Sequence, residues 1–160
     1  MKWCVRKHHY PLHFSPMLIG EYIHTLDVKK RIALPAKFRK ELGKKIVVTR
    51  GLDNCLFLFP LKTWEANSKE IARLGWRSDA RGFTRFMFSG AADIEIDSIG
   101  RILIPDYLRE FAELKNPIIF AGVHDRIEIW NEKRWSAYKK KIETQADMMA
   151  EKLDRVDQAH

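Results

Sequence analysis

The chain contains the nine residues DVKKRIALP at 27–35 and the related DSIGRILIP at 97–105, which begins 97 − 27 = 70 residues later. Each copy consists of Asp, three residues, Arg, three largely apolar residues and Pro. Similarity at a fixed spacing indicates that a chain contains two versions of one structural unit. The motif therefore predicts a duplicated fold, in which whatever one copy does can be done twice.

The residues around both motifs predict one order of elements, β-β-α-β-β, because alternating or short apolar runs indicate strands and a Pro opens the helix. The predicted strands are 22–26, 32–34, 46–49 and 55–59 in the first unit and 93–97, 102–104, 117–120 and 127–130 in the second. Units of about 45 residues are marginal alone. We therefore predict an α+β fold in which two tandem units form one pseudo-symmetric, small barrel-like core.

These elements suggest domain boundaries. The first unit is predicted at 20–66, a helical linker at 67–90, the second unit at 91–136 and a long C-terminal helix at 137–160. From the end of the second unit through this C-terminal helix, apolar positions advance by three, four or seven residues and form one stripe, at Trp135, Tyr138, Ile142, Met149, Leu153 and Val156. The stripe suits either packing on its own domain or pairing between chains. Residues 1–16 are expected to be a disordered extension or translated sequence upstream of a true start at Met17.

Composition points to an anionic partner. The chain has 160 residues, a net charge of +8 and 46% hydrophobic residues, so it is globular and basic. Nucleic acid is the first candidate partner and an anionic membrane surface the second. No apolar run approaches the roughly 20 residues of a membrane span. Two cysteines, Cys4 and Cys55, are too few for a disulfide framework and favour a reducing cytosol.

The motif's residue types suit a stiff loop that presents an arginine. Asp27 and Asp97 can accept hydrogen bonds from backbone N–H groups a few residues on, and Gly100 suits a positive φ before Arg101. An arginine fork can bind phosphate or guanine O6 and N7. Asp and Arg could instead simply pair and hold the turn. In the first copy, Lys29 and Lys30 flank Arg31, and such a cluster suits a phosphate backbone.

The repeated motif resembles that of the AbrB-like swapped-hairpin transcription factors, whose units carry Asp-x-x-Gly-Arg-x-x-x-Pro. Two units joined by a helical linker that ends in FMFSGAA at 86–92 are similar to the MraZ family. Pro35 and Pro105 match the motif's last position, whereas Lys30 replaces its Gly.

The resemblance implies a regulator, usually a repressor, that binds short direct repeats of double-stranded DNA in its own promoter, within the cell-division and cell-wall gene cluster. It also implies a closed homo-oligomeric ring of the octamer or dodecamer class at the nucleoid in the cytoplasm. No cofactor, metal, membrane or catalytic role is implied. The family's DNA-contacting arginines correspond to Arg31 and Arg101, with Lys29 and Lys30 as added phosphate contacts. Of the two, Arg31 is the predicted main contact.

Other functional classes have weaker support. An antitoxin-like module could mask a second protein through the C-terminal helix. An enzyme is disfavoured because His24 and His124 have no evident nucleophile beside them. Cys4, His8, His9 and His13 are possible zinc ligands. Asp93, Glu95 and Asp97 alternate on a strand and resemble a carboxylate site, although solubility of a strand edge explains them more simply.

Overall fold

The computed structural model describes residues 17–158, with side chains described up to residue 155. The first unit contains β1 (Leu18–His24), β2 (Arg31–Ala33), α1 (Ala36–Leu42), β3 (Lys45–Arg50) and β4 (Leu56–Pro60). Two helices follow, α2 (Leu61–Ala72) and α3 (Ser78–Gly90). The second unit contains β5 (Ala92–Glu95), β6 (Arg101–Leu103), α4 (Asp106–Phe111), β7 (Ile118–His124) and β8 (Ile127–Asn131), and α5 (Glu132–Gln158) ends the described chain. The β-β-α-β-β order is confirmed in both units.

The sheets exchange strands between the units. Six antiparallel strands form one sheet in the order β1-β7-β8-β4-β3-β5, so β1 of the first unit pairs with β7 of the second, and β5 pairs with β3. The order is the same from either end if the units are interchanged. A pseudo-twofold axis therefore passes between β4 and β8, and neither unit has a complete sheet of its own.

The two repeated motifs meet in a second, two-stranded sheet. Here β2 pairs antiparallel with β6, and Ile32 lies opposite Ile102 at the centre. We call this pair of strands the ribbon. Its central isoleucines are buried in the same core as the six-stranded sheet. The buried residues that follow in the two units are also equivalent pairs, Leu34 with Ile104 and Phe38 with Leu108. One shared core is therefore confirmed.

Proline places the short helices that follow the ribbon. Pro35 and Pro105 immediately precede α1 and α4, with φ of −53° and −52°. Each carbonyl accepts the N–H three residues on, from Phe38 at 2.9 Å and from Leu108 at 3.1 Å. A fixed φ and a missing N–H cost nothing at a helix start. The prolines therefore end the ribbon strands and turn the chain back over the core.

The longer helices cover the outside of the sheet. Trp64 of α2 contacts Phe59 with ring centroids 5.6 Å apart, and Trp135 of α5 contacts Trp130 at 5.4 Å, so the repeated five-residue spacing places equivalent aromatic pairs. Asn131 begins α5 by accepting the N–H of Lys133 at 3.0 Å. The first turns of α5 thus pack on their own sheet. Further along, Met149 and Leu153 are exposed, and Val156 lies beyond the described side chains.

The predicted boundary at 66/67 falls within α2, and that at 136/137 falls within α5. The extension at 1–16 lies outside the described residues. Within residues 17–158, no helix has the length and apolar content needed to span a bilayer.

Candidate nucleic-acid interface

Each motif begins with a turn closed by its aspartate. Asp27 Oδ1 accepts the backbone N–H of Lys29 at 2.8 Å and of Arg31 at 2.9 Å. Asp97 Oδ1 accepts the equivalent N–H groups of Ile99 at 3.1 Å and Arg101 at 2.8 Å. Because the two turns have the same bonds in the same places, they are one structure built from two different sequences.

The carboxylates also hold the arginines. Arg31 Nε donates to Asp27 Oδ2 at 2.9 Å, and Arg101 Nε donates to Asp97 Oδ2 at 2.8 Å. The pKa of each carboxyl lies below its usual value, chiefly because the backbone N–H of the same arginine donates to it, with the guanidinium bond adding to the effect. Since these bonds use Nε, closing the turn does not require the terminal nitrogens of either arginine. Pairing in the turn and presentation of the fork are therefore compatible.

The residue before each arginine adopts a left-handed backbone. Lys30 has φ of 62° and Gly100 has φ of 84°. Gly100 is also closely covered, since a Cβ built on it would lie 2.5 Å from Arg39 Cζ. Only glycine fits there without moving that side chain, whereas Lys30 occupies the equivalent conformation with strain.

The two loops enter the antiparallel ribbon from opposite ends, and the short outer face of the ribbon lies between them. Arg31 lies opposite Leu103, and Ala33 lies opposite Arg101. Arg101 Nη1 reaches to 3.7 Å from Asp27 Oδ2, so the carboxylate of the first loop interacts with both arginines. In the described part of the chain, the bonds of the Arg31 side chain involve Nε only. Lys29 and Lys30 are exposed on the same loop. The four predicted cations thus belong to one surface.

Two supporting arginines were missed by the sequence analysis. Arg39 Nε donates to Leu34 O at 2.9 Å, and Arg109 Nε donates to Ile104 O at 3.1 Å. Arg39 of the first unit lies against Gly100 of the second, and Leu34 N–H donates to Gly100 O at 2.9 Å. The contact crosses between units, so it is invisible to local patterns. The spacing 109 − 39 = 70, equal to that of the motifs, could have indicated these residues.

The residues considered for other chemistry have local partners. Asp93 pairs with Lys45 Nζ at 2.9 Å, and Asp97 closes the second turn, so these two carboxylates do not converge on a common point. The His24 ring packs edge-on against Phe120 at 5.6 Å, and burial is the main cause of its lowered pKa. Among the side chains that the structure describes, no three from His, Cys, Asp or Glu cluster around a point that could hold a metal. Cys4, His8, His9 and His13 lie outside the described residues.

Comparison with known proteins identifies close relatives. The family model described as "MraZ protein, putative antitoxin-like" matches the chain twice, at residues 17–86 and 87–158. The protein named Transcriptional regulator MraZ of Moorella thermoacetica is 47% identical over 138 residues, covering 86% of this chain and 96% of that relative. The protein of the same name from Caldanaerobacter subterraneus subsp. tengcongensis is 48% identical over 139 residues, covering 86% of this chain and 97% of its own length.

Proposed function

The chain belongs to the MraZ family, and from that premise we propose that it is a sequence-specific, non-enzymatic DNA-binding regulator that represses its own promoter. The carrying observation is the outer face of the ribbon, where Arg31 and Arg101 are each bonded to an aspartate through Nε, with the exposed Lys29 and Lys30 directly before Arg31. Relatives named as transcriptional regulators support this class of function.

The ribbon suits the major groove of B-DNA, which is about 12 Å wide and admits a two-stranded β-ribbon. Arg31 and Arg101 would contact guanine edges or phosphates, and the lysines would supply sequence-independent phosphate attraction. Arg101 lies near a second carboxylate, that of Asp27, whereas Arg31 directly follows two exposed lysines. This difference supports Arg31 as the main contact and Arg101 as the weaker one.

A single ribbon is too small for tight specific binding. Even single-module DNA interfaces bury about 600–1,000 Å² of protein surface. We propose that the protein assembles into a closed ring whose neighbouring chains present equivalent ribbons to successive short direct repeats. Once one ribbon binds, the next encounters its repeat at high effective concentration. Occupation of the repeats would then exclude polymerase from the promoter of the cell-division and cell-wall gene cluster, at the nucleoid.

The test uses fluorescence anisotropy with the duplex from just upstream of the gene and a scrambled duplex. Arg31→Ala should abolish specific binding while the folded content and the native mass stay those of the wild type. Arg101→Ala should weaken binding to the promoter duplex by a smaller factor. Arg73→Ala is the matched control, because this exposed arginine pairs with Glu70 on α2 and its loss changes the net charge equally. Normal promoter affinity in Arg31→Ala would refute the assignment.

A second function has one observation in its favour. Beyond its packed first turns, α5 exposes Met148, Met149 and Leu153, a surface that could bind another protein. If the chain acts as an antitoxin-like module, deletion of residues 146–160 should abolish co-purification of a cellular partner while leaving DNA binding intact. A truncated chain that keeps its partner, or that loses only self-association, would remove this alternative.

A further inference from the structure

The ribbon exposes an apolar side chain that does not pack in the core. Successive residues of a strand point to opposite faces, and in β6 Ile102 is buried while Leu103 is 54% exposed. Ile104, the next residue, is again fully buried. Leu103 therefore lies on the outer face of the ribbon, where it does not contribute to the core.

The register gives this leucine a specific neighbour. Leu103 is directly opposite Arg31, and on the same face Ala33 is opposite Arg101. Side chains directly opposite one another in an antiparallel pair have Cβ atoms about 4.5–5.5 Å apart. An apolar side chain and an arginine side chain thus leave the backbone side by side at one end of the ribbon.

In the major groove these two chemistries have distinct complements. Guanine O6 and N7 accept from an arginine fork, and the 5-methyl group of thymine is the apolar group that the groove presents. We infer that Leu103 is a specificity-determining residue that contacts the 5-methyl group of a thymine adjacent to the base pair contacted by Arg31. The inference rests on the proposed DNA-binding function.

The difference between Leu103 and its equivalent, Ala33, makes the two ends of the ribbon chemically unequal. Ala33 is the pseudo-symmetric equivalent of Leu103, since 103 − 33 = 70, and its methyl group is too short to make the same contact. One end of the ribbon therefore carries Arg31 with Leu103 and the other Arg101 with Ala33. A twofold ribbon with identical ends would favour a palindrome, whereas unequal ends favour a site with a polarity. That property fits direct repeats better than inverted ones.

The experiment removes one methyl group from the DNA and one side chain from the protein. Each thymine of a promoter repeat is replaced in turn by deoxyuridine, which lacks only the 5-methyl group. Loss of one buried methyl, at about 0.8 kcal/mol, should weaken wild-type binding about fourfold at one position of the repeat. Leu103→Ala should bind the thymine duplex more weakly and lose its sensitivity to deoxyuridine at that position. Leu103→Met, which keeps an apolar side chain of similar reach, should retain the sensitivity.

Leu74→Ala is the matched control, because Leu74 is 50% exposed in the segment between α2 and α3, away from the ribbon. It should bind as the wild type does, with full deoxyuridine sensitivity. If no thymine position affects wild-type binding, or if Leu103→Ala keeps the sensitivity, the inference is wrong while Arg31-dependent binding still upholds the proposed function. If the wild type shows no preference for promoter DNA, both are wrong.

Discussion

Lys30 and Gly100 allow a reciprocal test of the duplicated turn, because they are equivalent positions with opposite residues in the same left-handed conformation. A non-glycine residue there costs roughly 1–2 kcal/mol, and glycine loses about 0.5–1 kcal/mol more backbone entropy on folding. Lys30→Gly should therefore raise the free energy of unfolding by about 0.5–1 kcal/mol.

Gly100→Ala should have the opposite and larger effect. It adds the backbone strain and also places a Cβ 2.5 Å from Arg39 Cζ, so the Arg39 side chain must move away from Leu34 O. Strain of about 1 kcal/mol and a lost hydrogen bond of about 1 kcal/mol predict a total of about 2 kcal/mol.

Thermal unfolding at one fixed protein concentration measures both effects, since the proposed self-association would make the midpoint concentration-dependent. At roughly 2–4 °C per kcal/mol for a chain of this size, Lys30→Gly should raise the midpoint by about 2 °C and Gly100→Ala should lower it by about 6 °C. Gly100→Ala should lower the midpoint less when it is introduced into the Arg39→Ala variant than when it is introduced into the wild type, because the crowded side chain is then absent. Shifts of the same sign for the two single variants would refute the reasoning about the turns.

Three further outcomes are expected. Lys30→Gly should flatten the slope of log affinity against log salt by about 0.9 if Lys30 contacts one phosphate, and an unchanged slope would remove it from the interface. Thr49→Val removes the buried bond from Oγ1 to Met87 O, 2.6 Å long, and should lower the free energy of unfolding by about 1–3 kcal/mol in urea denaturation, with Thr49→Ser as control. The lowered pKa values of Asp27 and Asp97 mean that their stabilising effect is present above their ordinary pKa of 3.8 and is lost as the pH falls through the native values. Asp97→Asn should accordingly show a smaller fall in melting temperature between pH 5 and pH 2 than the wild type does, and an equal fall would contradict this assignment.

Local sequence determined the elements because each one has a local cause. Alternating and short apolar runs predicted the strands, and the prolines marked the starts of α1 and α4. The left-handed position in the turn could also be predicted, since glycine occupies it in one copy. These features depend on neighbours within a few residues, which is the range over which backbone preferences act.

The pairing of the strands within the sheets has no local cause of this kind. Nothing in the alternating residues of β1 states that it pairs with β7 of the other unit rather than with a strand of its own. The contact between Arg39 and Gly100 crosses the units in the same way. The competition foreseen between an arginine paired with its aspartate and an arginine free for DNA was also posed too simply. The carboxylate binds Nε, so one side chain can do both, and only coordinates could show which nitrogen is engaged.

The two loops, alike in backbone, differ in how firmly the rest of the molecule holds them. Gly100 receives the N–H of Leu34 at its carbonyl and lies against Arg39, so the second loop is fastened to the first unit. The first loop instead carries Lys30 in a strained conformation, with Lys29 and Lys30 exposed beside Arg31. Asp27 connects the two, because it interacts with both arginines. A fastened loop beside a cationic, less restrained one suits a division of roles, in which the second loop orients the ribbon and the first makes the stronger contact with DNA. If Arg101→Ala were as damaging as Arg31→Ala, that division would be wrong and the duplicated motif would act as two equal contacts.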